Sequence, residues 1–498
     1  MNTATPAQPA GSNSVLVVVC ASLFFGVLNA SAVTVLLPAI GVDFALDRSQ
    51  ISWIMSAYLL IYGVAIPFYG KLSDRFGVRN LFLLGLGLFS VGSLLCAVAP
   101  NYLMLMLARL VQAAGGAAIP GLGMTLVSRA FASEQRGKAL GVVSATMGVG
   151  AAIGPLLAGA ITDLLDWRYL FGMSVLAAIV IPYGIEKLQR DQDLSEGPLD
   201  LFGGFLLAVF VTGTLFSISQ GPQLGWMSPF VLSSVGAALL ALVILVFHQS
   251  RVDDAFISKT LLHNKRYLAV LLMGFCATGI FLSTQVALPM FLVSFNQLSP
   301  LNIGLILMPG AILTAVLGVV AGRMVDKVGA GLPTRIGGIL TLIAMLGLSV
   351  FVGSSEFSIM VFTALLGAGY ALLNTPLAIV VSLVVPAPIL ASALSLNTMV
   401  FFTGGSFGTA FLSSLVVGHN GQVGFNPWHN GLGAGFSDAF LILTLPLIVI
   451  LLLTLVLPKV EQTPEPKTLN ETWHPDCNIP WMPECEHAQK DHEHQLAK

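Results

Sequence analysis

Fourteen apolar segments, each long enough to cross a lipid bilayer, divide this chain and constrain its fold more than any other feature. A transmembrane helix needs about 20 mostly apolar residues. Hydrophobic residues make up 56% of the chain and charged residues only 9%, against about 25% charged residues in soluble domains. The segments are joined by short loops, which leave no room for a soluble catalytic domain. The sequence therefore predicts an all-α integral membrane protein with 14 transmembrane helices.

The basic residues indicate how these helices are oriented. All but three of the 22 Lys and Arg residues lie in one alternating set of loops or in the C-terminal tail. Arg48 and Arg168 lie in the other loops, and Arg109 lies within a segment. Because basic residues are enriched in cytoplasmic loops, we expect both termini in the cytoplasm. The first apolar run is too long for a signal-peptide core, and no organellar targeting signal is present, so a multi-pass protein of the bacterial inner (cell) membrane is expected.

A duplicated loop indicates a duplicated bundle. The loop at 70–79 (GKLSDRFGVR) recurs in weaker form at 322–329 (GRMVDKVG), with Asp74 and Asp326 252 residues apart. A plain six-helix repeat would separate them by roughly 190 residues, at about 30 for each helix and its loop. The excess of about 60 residues matches two extra segments at 199–250. The second half therefore begins after an inserted helical hairpin.

This arrangement predicts five regions. They are a cytoplasmic N-terminal tail (1–13), a six-helix bundle (14–190), an inserted two-helix hairpin (199–250), a second six-helix bundle (267–458) and a disordered cytoplasmic tail (459–498). Secondary transporters are built from such repeats, with the substrate site between the halves. We expect a small-molecule substrate, the lipid bilayer and protons as partners of a monomer, and no nucleic acid, cofactor or metal.

Two further motifs lie within predicted helices. The first, at 107–116 (LARLVQAAGG), contains Arg109, with Gln112 one turn further on. An intramembrane arginine is expensive and faces a cavity or a partner; the alternative is that its long side chain snorkels to the outer surface. The second motif, at 150–159 (GAAIGPLLAG), has small residues that let helices touch and Pro155, which introduces a bend.

Together these motifs resemble the signatures of the major facilitator superfamily, and specifically of its fourteen-helix drug:proton antiporter branch. The resemblance extends over residues 14–458 and implies the major facilitator fold: two six-helix bundles, here with the inserted hairpin. It implies a gating latch at Gly70, Asp74, Arg75, Gly77, Arg79, Gly322, Asp326 and Lys327, and an antiporter motif in helix five at Gly150, Gly154, Pro155 and Gly159. It also implies export by alternating access, with no enzymatic activity.

One position departs from the family pattern. The family opener reads Asp-x-Thr, with its proline nine residues after the Asp, and here Asn29 precedes Pro38 at that distance. Proton coupling needs a titratable group, usually a buried carboxylate with a raised pKa, and asparagine cannot titrate. Candidates for coupling are therefore Asp43, Asp74 and Asp163.

Polar and aromatic side chains within the segments are candidates for lining the substrate cavity, or for hydrogen bonding between helices. They are Asn29, Ser31, Thr34, Tyr58, Tyr62, Arg109, Gln112, Gln285, Asn374 and Asn397. Because Arg109 is the sole charge well inside a segment, a neutral amphipathic or anionic substrate is favoured over a dication.

The leading interpretation is a proton-driven multidrug exporter of amphipathic small molecules, such as drugs or toxic metabolites. One alternative is a specific or facilitative exporter of a single neutral or anionic metabolite, without the usual proton coupling. A second is a membrane receptor or scaffold that has lost transport. A membrane-embedded enzyme would need paired acids, a histidine cluster or a nucleophile with its base, and the segments contain none of these.

Overall fold

The computed structural model describes residues 12–191, 200–252, 255–294, 296–298, 300–351, 355–418, 426, 433–455 and 457. The predicted tails therefore lie outside the described residues, apart from Ser12 and Asn13. Fourteen spans are long and apolar enough to cross a membrane. The prediction of an all-α membrane protein with 14 transmembrane helices is confirmed.

Eight helices make up the N-terminal half, a name used below for α1–α8. They are α1 (Ser12–Asp43), α2 (Arg48–Phe76), α3 (Val78–Ala97), α4 (Tyr102–Gly116), α5 (Ala118–Ala130), α6 (Ser133–Leu164), α7 (Arg168–Val175) and α8 (Val180–Lys187). The fourth span consists of α4 and α5, and the sixth of α7 and α8 with a 3-10 turn between them.

The predicted hairpin corresponds to α9 (Leu201–Leu224) and α10 (Pro229–Arg251), and the short helix α11 (Lys259–His263) follows it. The C-terminal half, α12–α18, completes the described chain. Its helices are α12 (Lys265–Ser294), α13 (Pro300–Val328), α14 (Gly331–Phe351), α15 (Glu356–Val384), α16 (Leu390–Gly418), α17 (Ala434–Ile442) and α18 (Leu445–Leu453).

Local sequence explains where several helices begin. Asp47 and Gln50 form a reciprocal capping box at the start of α2, which satisfies backbone N–H groups that have no partner within the helix. Asn101 accepts a hydrogen bond from the backbone N of Met104 and caps α4 in the same way. Prolines inside the helices are tolerated because neighbouring membrane helices satisfy the freed backbone groups.

The two halves meet along two seams. On one seam α6 packs against α13, and on the other α2 packs against α16. Glycines allow the closest approach: a Cβ at Gly141 would lie 2.7 Å from the carbonyl oxygen of Gly318 on α13. Helix α9 of the hairpin packs against both α2 and α16, and so covers the second seam.

Candidate functional site

Arg109 lies fully buried inside the N-terminal half. Its Nη1 donates hydrogen bonds to Gln112 Oε1 at 2.6 Å and to Asn29 Oδ1 at 3.4 Å. Its Nε is buried and has no hydrogen-bond partner among the described residues. The guanidinium does not reach the surface, so the snorkelling alternative does not describe this side chain.

The partners of Arg109 are neutral and are themselves held in place. Asn29 Nδ2 donates to Ser174 Oγ at 2.8 Å, and Gln112 Nε2 donates to Ser93 Oγ at 2.8 Å. Asn29 and Gln112 are also completely buried. Asn29 thus occupies the place from which a carboxylate would form an ion pair with Arg109. Within the described part of the chain the cation has no carboxylate partner.

An aromatic ladder leads from Arg109 to the C-terminal half. The guanidinium carbon lies 3.9 Å from the centroid of the Tyr58 ring, close enough for a cation–π interaction. Tyr58 stacks on Tyr62 with centroids 5.7 Å apart, and Tyr62 contacts Phe402 on α16 at 5.2 Å. The ladder therefore joins the buried cation to the seam between the halves. Sequence reasoning missed Phe402, because nothing distinguishes it from other apolar residues of its segment.

The predicted latch joins the halves on the side of the bundle that carries the loops 71–79, 129–138 and 323–335, called the basic side below. Asp326 of α13 accepts hydrogen bonds from the backbone N of Gly137 and of Lys138 on α6, both at 3.2 Å. Asp74 of α2 accepts a hydrogen bond from Ser392 Oγ on α16 at 2.9 Å. Each aspartate thus bonds to the opposite half, and the two seams are closed on the basic side.

Glycines make this closure possible. A Cβ at Gly70 would lie 2.6 Å from Ser395 Cβ on α16. A side chain at Gly322 would collide with the carbonyl of Gly137 on α6. These two predicted latch glycines therefore lie at the contact between the halves.

Other latch residues act within the N-terminal half. Gly77 adopts a φ of +84°, which favours glycine. Arg79 donates from its backbone N to Asp191 Oδ2 at 3.2 Å and from Nη2 to the carbonyl oxygen of Ile185 at 2.5 Å. Arg129 forms an ion pair of 2.6 Å with Asp191, an acid that sequence reasoning did not single out. Arg75 and Lys327 are exposed.

Comparison with known proteins decides the family. The profile of the Major Facilitator Superfamily matches residues 19–186 and 201–409. The chain belongs to this superfamily. It is therefore a multi-pass membrane transporter and not an enzyme, as the sequence predicts.

Relatives in the superfamily include drug-resistance proteins. The chain is 28% identical over 400 residues to the multidrug resistance protein Stp of Mycobacterium tuberculosis, covering 79% of this chain and 74% of Stp. It is 26% identical over 365 residues to the riboflavin transporter RibZ of Clostridioides difficile, covering 73% of this chain and 79% of RibZ. The fold is similar to that of the human organic anion transporter MFSD10, with a TM-score of 0.66 and 15% sequence identity. The matched region covers 89% of this chain and 100% of the MFSD10 chain.

The remaining predicted cavity residues are distributed over both halves. Ser31 Oγ donates to the carbonyl oxygens of Leu28 and Gly150, so it lies at the contact of α1 with α6. Thr34 is exposed, and Gln285 and Asn374 are half-buried. Asn397 is buried, and its Oδ1 has no partner among the described residues.

The fifth membrane span, formed by α6, carries the predicted antiporter motif. A Cβ at Gly150 would lie 3.1 Å from the carbonyl oxygen of Phe24 on α1, and a side chain at Gly154 would collide with Ser31. Pro155 lies inside α6. Gly159 has open space beside it, so no close contact within the described structure requires a glycine there.

The candidate coupling acids differ in environment. Asp43 forms an ion pair of 2.9 Å with Arg168 and accepts a hydrogen bond from Trp167 Nε1 at 3.3 Å. Asp74 has one oxygen, Oδ1, that is buried without a hydrogen-bond partner among the described residues. The side chain of Asp163 lies outside the described residues. No group of three metal-ligating side chains occurs in the part of the chain that could be searched.

Proposed function

We propose that this protein is a secondary active exporter of amphipathic small molecules in a bacterial inner membrane, with both termini in the cytoplasm. The observation that carries the proposal is the reciprocal latch of Asp74 and Asp326. Because each aspartate bonds to the other half, the contact breaks when the halves rock apart, as alternating access requires. The relative Stp, a multidrug resistance protein, supports export as the direction.

The substrate class follows from the charge of the N-terminal half. Arg109 is a buried cation whose hydrogen-bond partners are neutral. A second cation brought along the aromatic ladder is repelled, because among the described residues no acid bonds to Arg109 and offsets its charge. Aromatic rings such as Tyr62 and Phe402 provide apolar contact area for a neutral or anionic amphipath. We therefore expect export of neutral or anionic compounds.

Proton coupling, if the exporter uses it, is assigned to Asp74 among the candidate acids. Asp43 is partnered by Arg168 on the opposite side of the bundle. Asp74 lies at the contact between the halves, where loss of its charge weakens the bond to Ser392. A proton taken up there favours opening on the basic side.

The alternative is a specific exporter of one neutral or anionic metabolite without proton coupling. Asn29 favours it, because a carboxylate at that position would be the natural buried proton site. The relative RibZ is a riboflavin transporter, which supports a metabolite as the substrate.

The deciding experiment measures accumulation of a neutral, an anionic and a cationic fluorescent compound in efflux-deficient bacteria that express this chain. Lowered accumulation of the neutral or anionic compound, restored by a protonophore, supports energised export. Faster loss of preloaded compound down its concentration gradient, at a rate that the protonophore does not change, supports the facilitative alternative. Unchanged accumulation of all three, with the protein present in the membrane, contradicts broad export.

Arg109→Gln and Arg109→Lys serve as matched variants in the same assay. Gln removes the buried charge, so efflux of the anionic compound should fall at least tenfold more than efflux of the neutral one. Lys keeps the charge and should retain part of the anion efflux. Equal loss for both compounds would contradict the assigned substrate class.

A further inference from the structure

The inserted hairpin is held together at both ends as one unit. Near the tip, Ser217 Oγ of α9 and Ser234 Oγ of α10 are hydrogen bonded at 2.6 Å. At the base, Asp200 caps α9 by accepting from the backbone N of Gly203 at 2.8 Å, and contacts His248 Nε2 of α10 at 2.8 Å. A displacement of one helix of the hairpin therefore carries the other with it.

The tip half of this unit is fastened to the N-terminal half. Ser219 Oγ and Ser56 Oγ of α2 are hydrogen bonded at 2.7 Å, and Gln220 Nε2 donates to Ser56 Oγ at 3.1 Å. Both Ser56 and Gln220 are buried. The rings of Trp53 and Phe216 lie beside them, with centroids 6.2 Å apart.

The base of the hairpin is fastened to the same helix. The Phe256 ring contacts Phe68 of α2, with centroids 5.1 Å apart. The backbone N of Phe256 donates to Asp200 Oδ2 at 3.0 Å. Burial by itself raises the pKa of Asp200, but the hydrogen bonds from Gly203, His248 and Phe256 together hold that pKa below its usual value. The chain therefore stays on the N-terminal half as far as Phe256.

Eight residues after Phe256, the chain is bonded to the C-terminal half. Asn264 Nδ2 donates to the carbonyl oxygen of Val384 at the end of α15, at 3.0 Å. Asn264 Oδ1 accepts from the backbone N of Tyr267 at 3.1 Å and so caps α12. Tyr267 is fully buried, and its hydroxyl donates to the carbonyl oxygen of Ala393 at 2.9 Å.

The contact of the hairpin with α16 has a different character. Where α9, α2 and α16 meet, a side chain at Gly63 would collide with Leu215 of α9 and would contact Phe402 of α16. Towards the tip, residues of the hairpin and of α16 line a cavity of about 220 Å³. Its lining is apolar and consists of Ile218, Trp226, Phe407, Ala410 and Phe411. Sliding along such a surface requires no exchange of polar contacts at the cavity.

We infer that the hairpin belongs to the moving body of the N-terminal half, and that the hinge between the two bodies is the segment 257–263. The inference rests on the proposed function, because it describes the motion of alternating access. The bodies that rock are then 12–256 and 264–457, and the sliding surface is the contact of α9 with α16.

Two cysteine pairs test this assignment in a background without the five native cysteines. Ser56→Cys with Ser219→Cys joins the hairpin to the N-terminal half, and oxidation should leave efflux within about twofold of the reduced protein. Ile218→Cys with Ala410→Cys, bridged by a bifunctional thiol reagent, joins the hairpin to the C-terminal half and should reduce efflux at least tenfold until reductant is added. The opposite pattern would overturn the inference.

A distance measurement tests the same assignment without a transport substrate. Spin labels are placed at three exposed positions: Met227 on the hairpin, Leu103 on the N-terminal half and Phe357 on the C-terminal half. The 227–103 distance distribution should be the narrowest of the three, and it should not shift in the Asp326→Ala variant. A 227–103 distribution as broad as 103–357 would overturn the inference. If wild-type efflux is absent but these distances hold, the proposed function fails and the hairpin assignment stands.

Discussion

Removal of the Asp326 carboxylate should open the basic side of the transporter. Asp326 accepts two hydrogen bonds from backbone N–H groups of α6, both at 3.2 Å. A hydrogen bond to a charged group contributes about 1.5–3 kcal/mol, and Asp326 is half-buried, so the low end applies. Asp326→Ala then destabilises the closed arrangement by about 3 kcal/mol. Because each 1.4 kcal/mol is a tenfold change, the open population should rise up to about 100-fold.

The assay is the labelling rate of one introduced cysteine by a membrane-impermeant maleimide in inside-out vesicles. Ser395→Cys is suitable, because Ser395 is 1% exposed and lies against Gly70 at the closed seam. When opening is rapid, the labelling rate follows the open population. Asp326→Ala should therefore raise the rate by one to two orders of magnitude, as worked out from its two hydrogen bonds.

Asp191→Ala is the matched control. Asp191 is also an acid on the basic side, but its bonds to Arg79 and Arg129 lie within the N-terminal half. Its removal should change the labelling rate less than about twofold, since a bond within one rigid half does not bias the opening equilibrium. Equal labelling of wild type and Asp326→Ala, or equal acceleration by both substitutions, would refute the latch.

Four further substitutions have distinct expected outcomes. Asn29→Asp places a carboxylate 3.4 Å from the Arg109 guanidinium and so offsets the buried charge, and efflux of the anionic compound should fall more than efflux of the neutral one; an equal effect on both compounds would contradict this. Gly322→Val should abolish efflux while the protein still reaches the membrane, because the new side chain would collide with Gly137 and prevent closure of the seam. The control, Gly159→Val, changes a glycine that has open space beside it and should remain active. Asp200→Asn should lower the thermal unfolding temperature by a few degrees at pH 7. The difference between variant and wild type should vanish as the pH falls through the lowered pKa of Asp200, because the wild-type carboxylate is then protonated and uncharged as well. A constant difference down to low pH would contradict a stabilising role of the Asp200 carboxylate.

Much of the fold could be predicted from local sequence. The number of spans depends on the length and apolarity of each segment, which neighbouring residues settle by themselves. The sequence also singled out Asp74 and Asp326, because they share a repeated frame of glycines and basic residues; their role as a gating latch stays a prediction. The partners of these aspartates were not predictable: Ser392 is 318 residues from Asp74 and carries no signal of its own.

The sequence predicted a functional role for Arg109, which stays a prediction, and it could not specify the surroundings of this residue. The position of Arg109 inside an apolar segment predicted a buried cation that needs partners. The sequence also showed that Asn29 replaces the expected acid. That these two side chains face each other, 80 residues apart in the chain, is settled by the packing of α1 against the fourth span. Packing also encloses both within the N-terminal half, and the aromatic ladder joins them to the seam.

The sequence by itself determined the class of protein: an all-α membrane transporter with 14 transmembrane helices. Those properties follow from hydrophobic length and from motifs that repeat along the chain. The tertiary structure alone decided which contacts close the seams and which side chains join the hairpin to α2. The physical reason is that such contacts join side chains far apart in the chain. Ser56 and Ser219 are ordinary serines in the sequence, and only helix packing brings their hydroxyls to 2.7 Å.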